Sequence, residues 1–479
     1  MTRVRVAVVG AGFAGVAMAR RLAAAGESFV VLERRPGIGG TWHDNRYPGV
    51  ACDVPAHLYG YSDIAHPGFS RVFAPGAEIR EYLEDAAAPV ADRIMLSTRL
   101  EDARWDGALW QLDTSRGALE AEVLVMAAGR LTEPRLPDVP GAFDGPVVHT
   151  ARWDDELDLE GARVAVVGTG ASGVQVIPEL ARRAESVVVL QRSAPYILPK
   201  GDRAYADAEI TLFEQQPERL ADLRGALMRE TEEVFDQRAG DGRAEARARA
   251  LAHLADQVPD PVLRAALTPD HEFGCKRVLF SDDYFATLRL PHVRLVPGAL
   301  TGYEAGAVLA ADGSRHEVDV VVTATGFHST RQPYAELVTG RDGISLDQYW
   351  SQGMRAYAST AVHGFPNLFV LDGPNATLAH NSAVLMIEAQ ADYAMSAIPW
   401  TAHGPLEVSV DAEQAYIDEI QGRSGVWTSG CSNWYVDEPS GRQVLLWPGK
   451  AQEFRDRFGY FEPEPFGLAH LDPSESAGA

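Results

Sequence analysis

The sequence predicts an α/β fold of two doubly wound parallel-sheet domains, the second inserted into the first and carrying a helical insertion. Three observations predict it. A strand, glycine turn, helix, strand order opens the chain; the same order returns near Val164 with unrelated local sequence; and the segments bracketing the second unit belong with the first.

In the first unit, Val4 to Val9 is a short, mostly β-branched apolar run ending in GAGFAG, and the alanine-rich stretch Val16 to Ala25 reads as a helix. A second apolar run, Phe29 to Leu32, ends at Glu33 and completes a β-α-β unit. Gly10 permits the tight turn, Gly12 lets backbone approach a pyrophosphate, and Gly15 lets helix and strand pack closely with the helix N-terminus toward the phosphates. Glu33, at the end of the second strand, is placed to accept hydrogen bonds from an adenosine ribose.

The second unit runs from Val164 to Val167 through GTGASG, a helix reaching Ala184, and the strand Val187 to Leu190. Gly168, Gly170 and Gly173 repeat the glycine geometry, but the place of Glu33 is taken by Gln191 and Arg192, followed by Ser193. A carboxylate there would repel a 2′-phosphate, whereas a guanidinium and a hydroxyl bind one through charge-assisted hydrogen bonds, so the second site reads as one for NADPH. Both units are therefore Rossmann-like dinucleotide-binding domains. Residues 206–267 are rich in Ala, Glu, Arg and Leu and read as the helical insertion, its charges forming a solvated face. Boundaries are expected in the proline-rich stretch Pro134 to Pro146 and near Gln332 and Pro333. The first domain then comprises 1–144 and 334–479, and the second 145–333.

A chain of 479 residues, 46% hydrophobic and 23% charged, suits two globular domains. Its formal net charge of −24 argues against nucleic acid and membrane surfaces as partners. Cys52, Cys275 and Cys431 are odd in number and contain no C-x-x-C pair, so neither a disulfide framework nor a thiol redox centre is expected. That cysteine usage makes a reducing cytoplasm the expected setting, and Met1 leads straight into a strand pattern without a spanning or cleavable segment, so export is not expected. Pro473 to Ala479 reads as a frayed tail.

Two long patterns carry a resemblance. FDGPVVHTARWD places Phe143, Gly145, His149, Trp153 and Asp154 on F-x-G-x-x-x-H-x-x-x-W-(P/D), and GGTWHDNRYPGVACD places Gly39, Gly40, Trp42, Tyr47, Pro48, Gly49 and Asp53 on G-G-x-W-x4-(F/Y)-P-G-x3-D. With the two nucleotide motifs, they make the chain similar over nearly its whole length to the type I Baeyer–Villiger monooxygenases, a family of class B flavoprotein monooxygenases. Further matches are ATG at Ala324 to Gly326, GPN at Gly373 to Asn375, HNS at His380 to Ser382, and CSNWYVDEPSGRQVLLWPG near the C-terminus; Ala128 and Ala379 depart from a usual threonine and glycine.

The resemblance implies FAD in the first domain, with Gly40, Trp42, Tyr47 and Asn375 among the cofactor-binding residues. It implies that Lys276 contacts the NADPH 2′-phosphate and that Arg277 and Asp53 form the catalytic pair, Asp53 orienting the guanidinium. His149 is assigned to the domain linker. The segment 430–447 is expected to be a lid that orders on NADP(H), with Trp434 covering the nicotinamide. The implied reaction uses NADPH and O2 to convert a ketone to an ester or lactone through a C(4a)-peroxyflavin. Oxygenation of an amine nitrogen or sulfur by a related class B enzyme is the nearest alternative, and a non-catalytic nucleotide sensor a second. A pyridine-nucleotide disulfide reductase would need paired cysteines.

Overall fold

In a computed structural model, residues 2–239, 242–428 and 431–471 are described. The tail Pro473 to Ala479 and Gly430, the first residue of the expected lid, lie outside them. The apolar run at the N-terminus forms the strand Thr2–Val9, with Val6, Ala7 and Val8 fully buried, as a parallel strand covered on both faces requires. It pairs in parallel with Phe29–Leu32 on one side and Gly117–Met126 on the other. Among the described residues this sheet has eight strands. Two of them arrive late in the chain: Val338–Thr339 pairs with Leu100–Trp105, and Leu368–Val370 pairs with Gly117–Met126. The helix Phe13–Ala24 starts directly on the glycine turn, three residues before the expected Val16, and packs against the late helix Ala383–Ala397.

The second sheet is wholly parallel, in the order Val293–Pro297, Ser186–Gln191, Arg163–Val167, Val320–Thr323, Val147–His149. All of its strands lie between residues 147 and 323, so it is nested between strands of the first sheet. Among its described residues the insertion is helical as expected, with helices over Asp207–Gln215, Pro217–Ala239, Gly242–Gln257 and Pro261–Ala266. Its charges are not simply solvated. Arg224 donates to the His57 carbonyl at 2.9 Å, Glu232 accepts from the Asn381 amide at 2.8 Å, and Asp236 pairs with Lys450 at 2.7 Å. The long helix thus lies on the first domain; Arg224 and Glu232 meet polar groups that its approach would otherwise leave dry, while the Asp236–Lys450 pair stays exposed to solvent.

The cysteine reading is corrected as well. Cys275 and Cys431 form a disulfide, their Cα atoms 6.3 Å apart, while Cys52 is a buried free thiol. Motif spacing detects only local pairs, and the fold brings together residues separated by 156 positions. No helix among the described residues is long and apolar enough to cross a membrane.

The expected lid loop is more structured than its composition suggests. Val436–Asp437 and Arg442–Gln443 make a short antiparallel hairpin, with Gly441 at φ +68°, and the following residues Val444 to Trp447 are buried. Asn375 holds them: at φ +56° and 1% exposed, it turns its amide onto the carbonyls of Gln443 at 3.3 Å and Leu446 at 3.1 Å.

Candidate active site

The two glycine turns fit phosphate groups by their shape. A Cβ on Gly10, at φ +107°, would lie 2.5 Å from the Ala127 carbonyl oxygen, and one on Gly15 would lie 1.8 Å from the Gly10 oxygen. Gly168, at φ +108°, and Gly173 repeat this at 2.5 Å from the Ala324 oxygen and 2.3 Å from the Gly168 oxygen. Gly12 faces Gly40, glycine against glycine, whereas Gly170 looks into open space. The helices that follow start without a side-chain cap, so their first N–H groups remain donors for an anion.

Glu33 is 5% exposed and braces the first turn, accepting from the Ala11 and Arg35 N–H groups at 2.7 Å each. Burial pushes its carboxyl up; the two backbone donors pull the other way without cancelling the rise. Each oxygen keeps a further lone pair with which a ribose hydroxyl can be held. At the second site Gln191 is occupied by the Ala266 carbonyl at 2.8 Å, which leaves Arg192, exposed, and Ser193 at the strand end. Lys276 donates to the Ser193 hydroxyl at 3.0 Å. Burial and then the nearby Arg192 charge lower the Lys276 ammonium's pKa. An anion between these cations would offset their repulsion, which is the fit expected of a 2′-phosphate.

Lys276 and Arg277 are consecutive, and the segment that carries them turns at Gly274, φ +86°. Arg277 reaches the loop after Tyr47-Pro48-Gly49, donating through Nε and Nη2 to one oxygen of Asp53 at 3.1 and 2.7 Å; the two side chains are 26% and 25% exposed. Burial alone would raise the Asp53 carboxyl, but the Arg277 charge and hydrogen bond overcome it and hold the group below its ordinary value. The Asp53 charge in turn raises Arg277, which stays protonated. Arg277 and Lys276 line a cavity of about 170 Å³ with Phe235, His380, Trp427 and Tyr435.

Sequence reasoning missed Arg130. It is 11% exposed, ion-paired with Asp372, and close enough to Arg277 to feel its charge. Burial is the main cause that brings its pKa down to about 10, with Tyr59 opposing and Arg277 adding to the fall. Its one sequence signal is position: it follows the C-terminal end of Gly117–Met126, which runs parallel to Thr2–Val9, and ligands bind at the C-terminal ends of such parallel strands.

The other singled-out residues take several places. Trp42 is 8% exposed and edge-on to Tyr59, ring centres 5.6 Å apart. Tyr47 bridges the two sheets' domains, donating its hydroxyl to Gln175 of the helix Ala171–Ala181 at 2.8 Å. Asn375 lies beneath the C-terminal segment it holds, away from the cavity lining. Trp434 packs against Tyr435, ring centres 4.5 Å apart and planes tilted by 41°, and its carbonyl accepts from Ser329 at 3.3 Å. His149, 4% exposed, accepts from the Ala151 N–H at 3.0 Å; burial lowers its pKa to about 4, so it is neutral at the crossing between sheets.

Residues 7–206 match the model of the family described as pyridine nucleotide-disulphide oxidoreductase; the match spans both glycine turns and ends before Cys275 and Cys431. A Baeyer–Villiger monooxygenase of Streptomyces coelicolor is 40% identical over 471 residues, covering 94% of this chain and 90% of that one. Among solved structures, an oxidized steroid monooxygenase bound to NADP superposes with a TM-score of 0.84 at 31% identity, over 95% of this chain and 97% of that one. OTEMO in complex with FAD and NADP gives 0.86 at 26% identity, over 95% and 96%.

Proposed function

Because the chain belongs to the Baeyer–Villiger monooxygenase family, we propose that its two nucleotide sites and the Arg277–Asp53 pair serve one reaction, the oxidation of a ketone to an ester or lactone. The enzyme is FAD- and NADPH-dependent: ketone, O2, NADPH and a proton give ester, NADP⁺ and water. FAD, when bound, supplies the activation of oxygen. The reading sets this in the cytoplasm, where NADPH is regenerated, and divides the chain into 1–144 with 334–479 for FAD and 145–333 for NADPH.

The observation that carries the proposal is the adjacency of Lys276 and Arg277. Lys276 joins Ser193 and Arg192 at the phosphate end, and the next residue puts a permanent positive charge into the cavity. Arg277 stabilises the oxyanion that develops on the substrate carbonyl without giving up a proton, because the Asp53 charge raises it further out of range. Asp53 orients the guanidinium through a single oxygen, so the fork keeps other N–H donors for substrate. Tyr435, which lines the cavity, and Trp434, packed beside it, lie on the segment 431–447, which acts as the lid that keeps water from the coenzyme side.

The test is Arg277→Ala. The variant is expected to hold FAD and to accept electrons from NADPH, while ester formation falls by about 10²- to 10³-fold, the range for losing one preorganised donor at an oxyanion. NADPH consumption then appears as hydrogen peroxide. A flavin-loaded Arg277→Ala protein that oxidises a good ketone near the parent rate removes Arg277 from the chemistry.

A further inference from the structure

The disulfide joins two segments with different tasks. Cys275, 1% exposed, directly precedes Lys276 and Arg277. Cys431, partly exposed, opens the described part of the lid segment. Asn433 links the bond to the cavity wall: its amide nitrogen donates to the Trp427 carbonyl at 2.7 Å and lies 3.7 and 3.9 Å from the two sulfurs, while its amide oxygen accepts from the Tyr435 N–H at 2.9 Å. Trp427 and Tyr435 both line the cavity that Arg277 enters. A covalent and hydrogen-bonded chain therefore runs from the sulfur pair to the residues that close over the reaction.

We propose that Cys275 and Cys431 are a reversible thiol–disulfide modification site that fastens the lid to the Lys276–Arg277 segment when oxidised and releases it when reduced. The inference rests on the lid reading above. Its oxidant is hydrogen peroxide, which this class of activity itself supplies whenever NADPH, O2 and a proton react without a ketone to give NADP⁺ and H2O2. The more exposed Cys431 thiolate attacks one peroxide oxygen, breaking the O–O bond and, with a proton, giving sulfenic acid and water. The Cys275 thiolate then displaces hydroxide from that sulfur, forming the S–S bond and, with a second proton, another water. Two thiols and one H2O2 thus give one disulfide and two waters, the two electrons passing from sulfur to oxygen. Reduction begins at the same accessible sulfur: an external dithiol attacks Cys431 and expels Cys275 as a thiolate, favoured beside the two cations that follow it, and the dithiol's second sulfur then frees Cys431 by closing its own disulfide. An enzyme idling without substrate would in this way fasten its own lid, hold NADP⁺, and limit further peroxide.

The experiment uses FAD-loaded enzyme, parent and Cys431→Ser, treated with H2O2 or with a phosphine reductant and then freed of both. Alkylation in denaturant and intact mass count the thiols: one is expected in oxidised parent, from Cys52, and three after reduction. NADP⁺ release is expected to be about tenfold slower or more in oxidised than in reduced parent, as cross-linking removes the freedom of the opened segment. Cys431→Ser should match the reduced parent under both treatments, and Cys275→Ala should do the same. Hydrogen exchange over 431–447, with and without NADP⁺, separates the two readings. Three alkylated thiols after peroxide overturn the site. A disulfide that forms while NADP⁺ release and exchange stay unchanged overturns the latch, and leaves the lid intact if NADP⁺ still protects the segment. Lack of NADP⁺ protection in both redox states overturns the lid and the latch together.

Discussion

The two glycine turns share a backbone and differ in how far they are built into the protein. Gly10 and Gly168 sit at φ +107° and +108°, and a Cβ on either would lie 2.5 Å from an alanine carbonyl oxygen, closer than a side chain can approach. Around that common frame, the first site is enclosed: Gly12 is faced by Gly40, and Glu33 is buried and bonded to two backbone N–H groups. The second is open: Gly170 has nothing beside it and Arg192 is exposed. One turn is suited to a cofactor that stays, the other to a coenzyme that comes and goes.

The largest effect expected from that contrast is at Gly15. Gly15→Ala drives a Cβ to within 1.8 Å of the Gly10 oxygen, a backbone atom that cannot swing aside, and should destabilise by about 3 kcal/mol or more with loss of FAD. Gly170→Ala meets nothing within 4 Å and should stay within about 0.5 kcal/mol of the parent while weakening NADPH binding. Thermal unfolding with flavin content measures both; a stable, yellow Gly15→Ala protein breaks the picture of an enclosed first site.

Next comes Arg192→Ala. The NADPH preference over NADH should fall by about 1.5–3 kcal/mol, the worth of a hydrogen bond to a charged group, through weaker NADPH and unchanged NADH. Flavin reduction followed against the concentration of each coenzyme reads this directly, and an unaltered preference would leave Lys276 and Ser193 as the sole phosphate contacts.

A smaller, pH-dependent effect contrasts the carboxylates Glu33 and Asp53. Burial leaves Glu33 raised, so its contribution to folding is largest in acid and is lost as pH rises through its folded value. Asp53 is lowered by Arg277, so its contribution is present above the ordinary carboxylate value of about 3.9 and is lost as pH falls through its folded value. Urea unfolding of parent and Asp53→Asn across mild to strong acid should show the variant losing less stability on acidification. Parallel curves would mean that the pair contributes no such linkage. A modest effect away from both phosphate sites is expected for Tyr47→Phe, which removes the hydroxyl donated to Gln175 and should cost about 1 kcal/mol in unfolding without altering coenzyme preference.

What could be read from the sequence was what local backbone chemistry writes into it. Glycines at fixed spacing, apolar runs and the Gln191-Arg192-Ser193 departure each report a constraint within a few residues, and the strands Phe29–Leu32 and Ser186–Gln191 lie where those runs predict. The helix start slipped to Phe13 because the third glycine, read as part of the turn, lies inside the first helical turn. The Arg277–Asp53 contact came only through a resemblance, since their separation of 224 residues leaves no local trace. The disulfide, Arg130 beside Arg277, and the use of Arg224, Glu232 and Asp236 as clamps had no pattern to announce them. Each depends on which surfaces the folded chain brings face to face.

The nesting of one sheet inside the other also sets an order of assembly. Leu368–Val370 pairs with Leu124–Met126, and every strand of the parallel five-stranded sheet is made between those two partners, the last ending at Thr323. At roughly 5–20 residues per second on the ribosome, the inner sheet has all its strands for several seconds while the Leu124–Met126 edge still waits for its own. An unpaired apolar edge invites pairing with a neighbouring chain. A ribosome paused between Thr323 and Leu368 would therefore display a finished inner domain on an unfinished outer one, with its risk of misassembly concentrated along three residues.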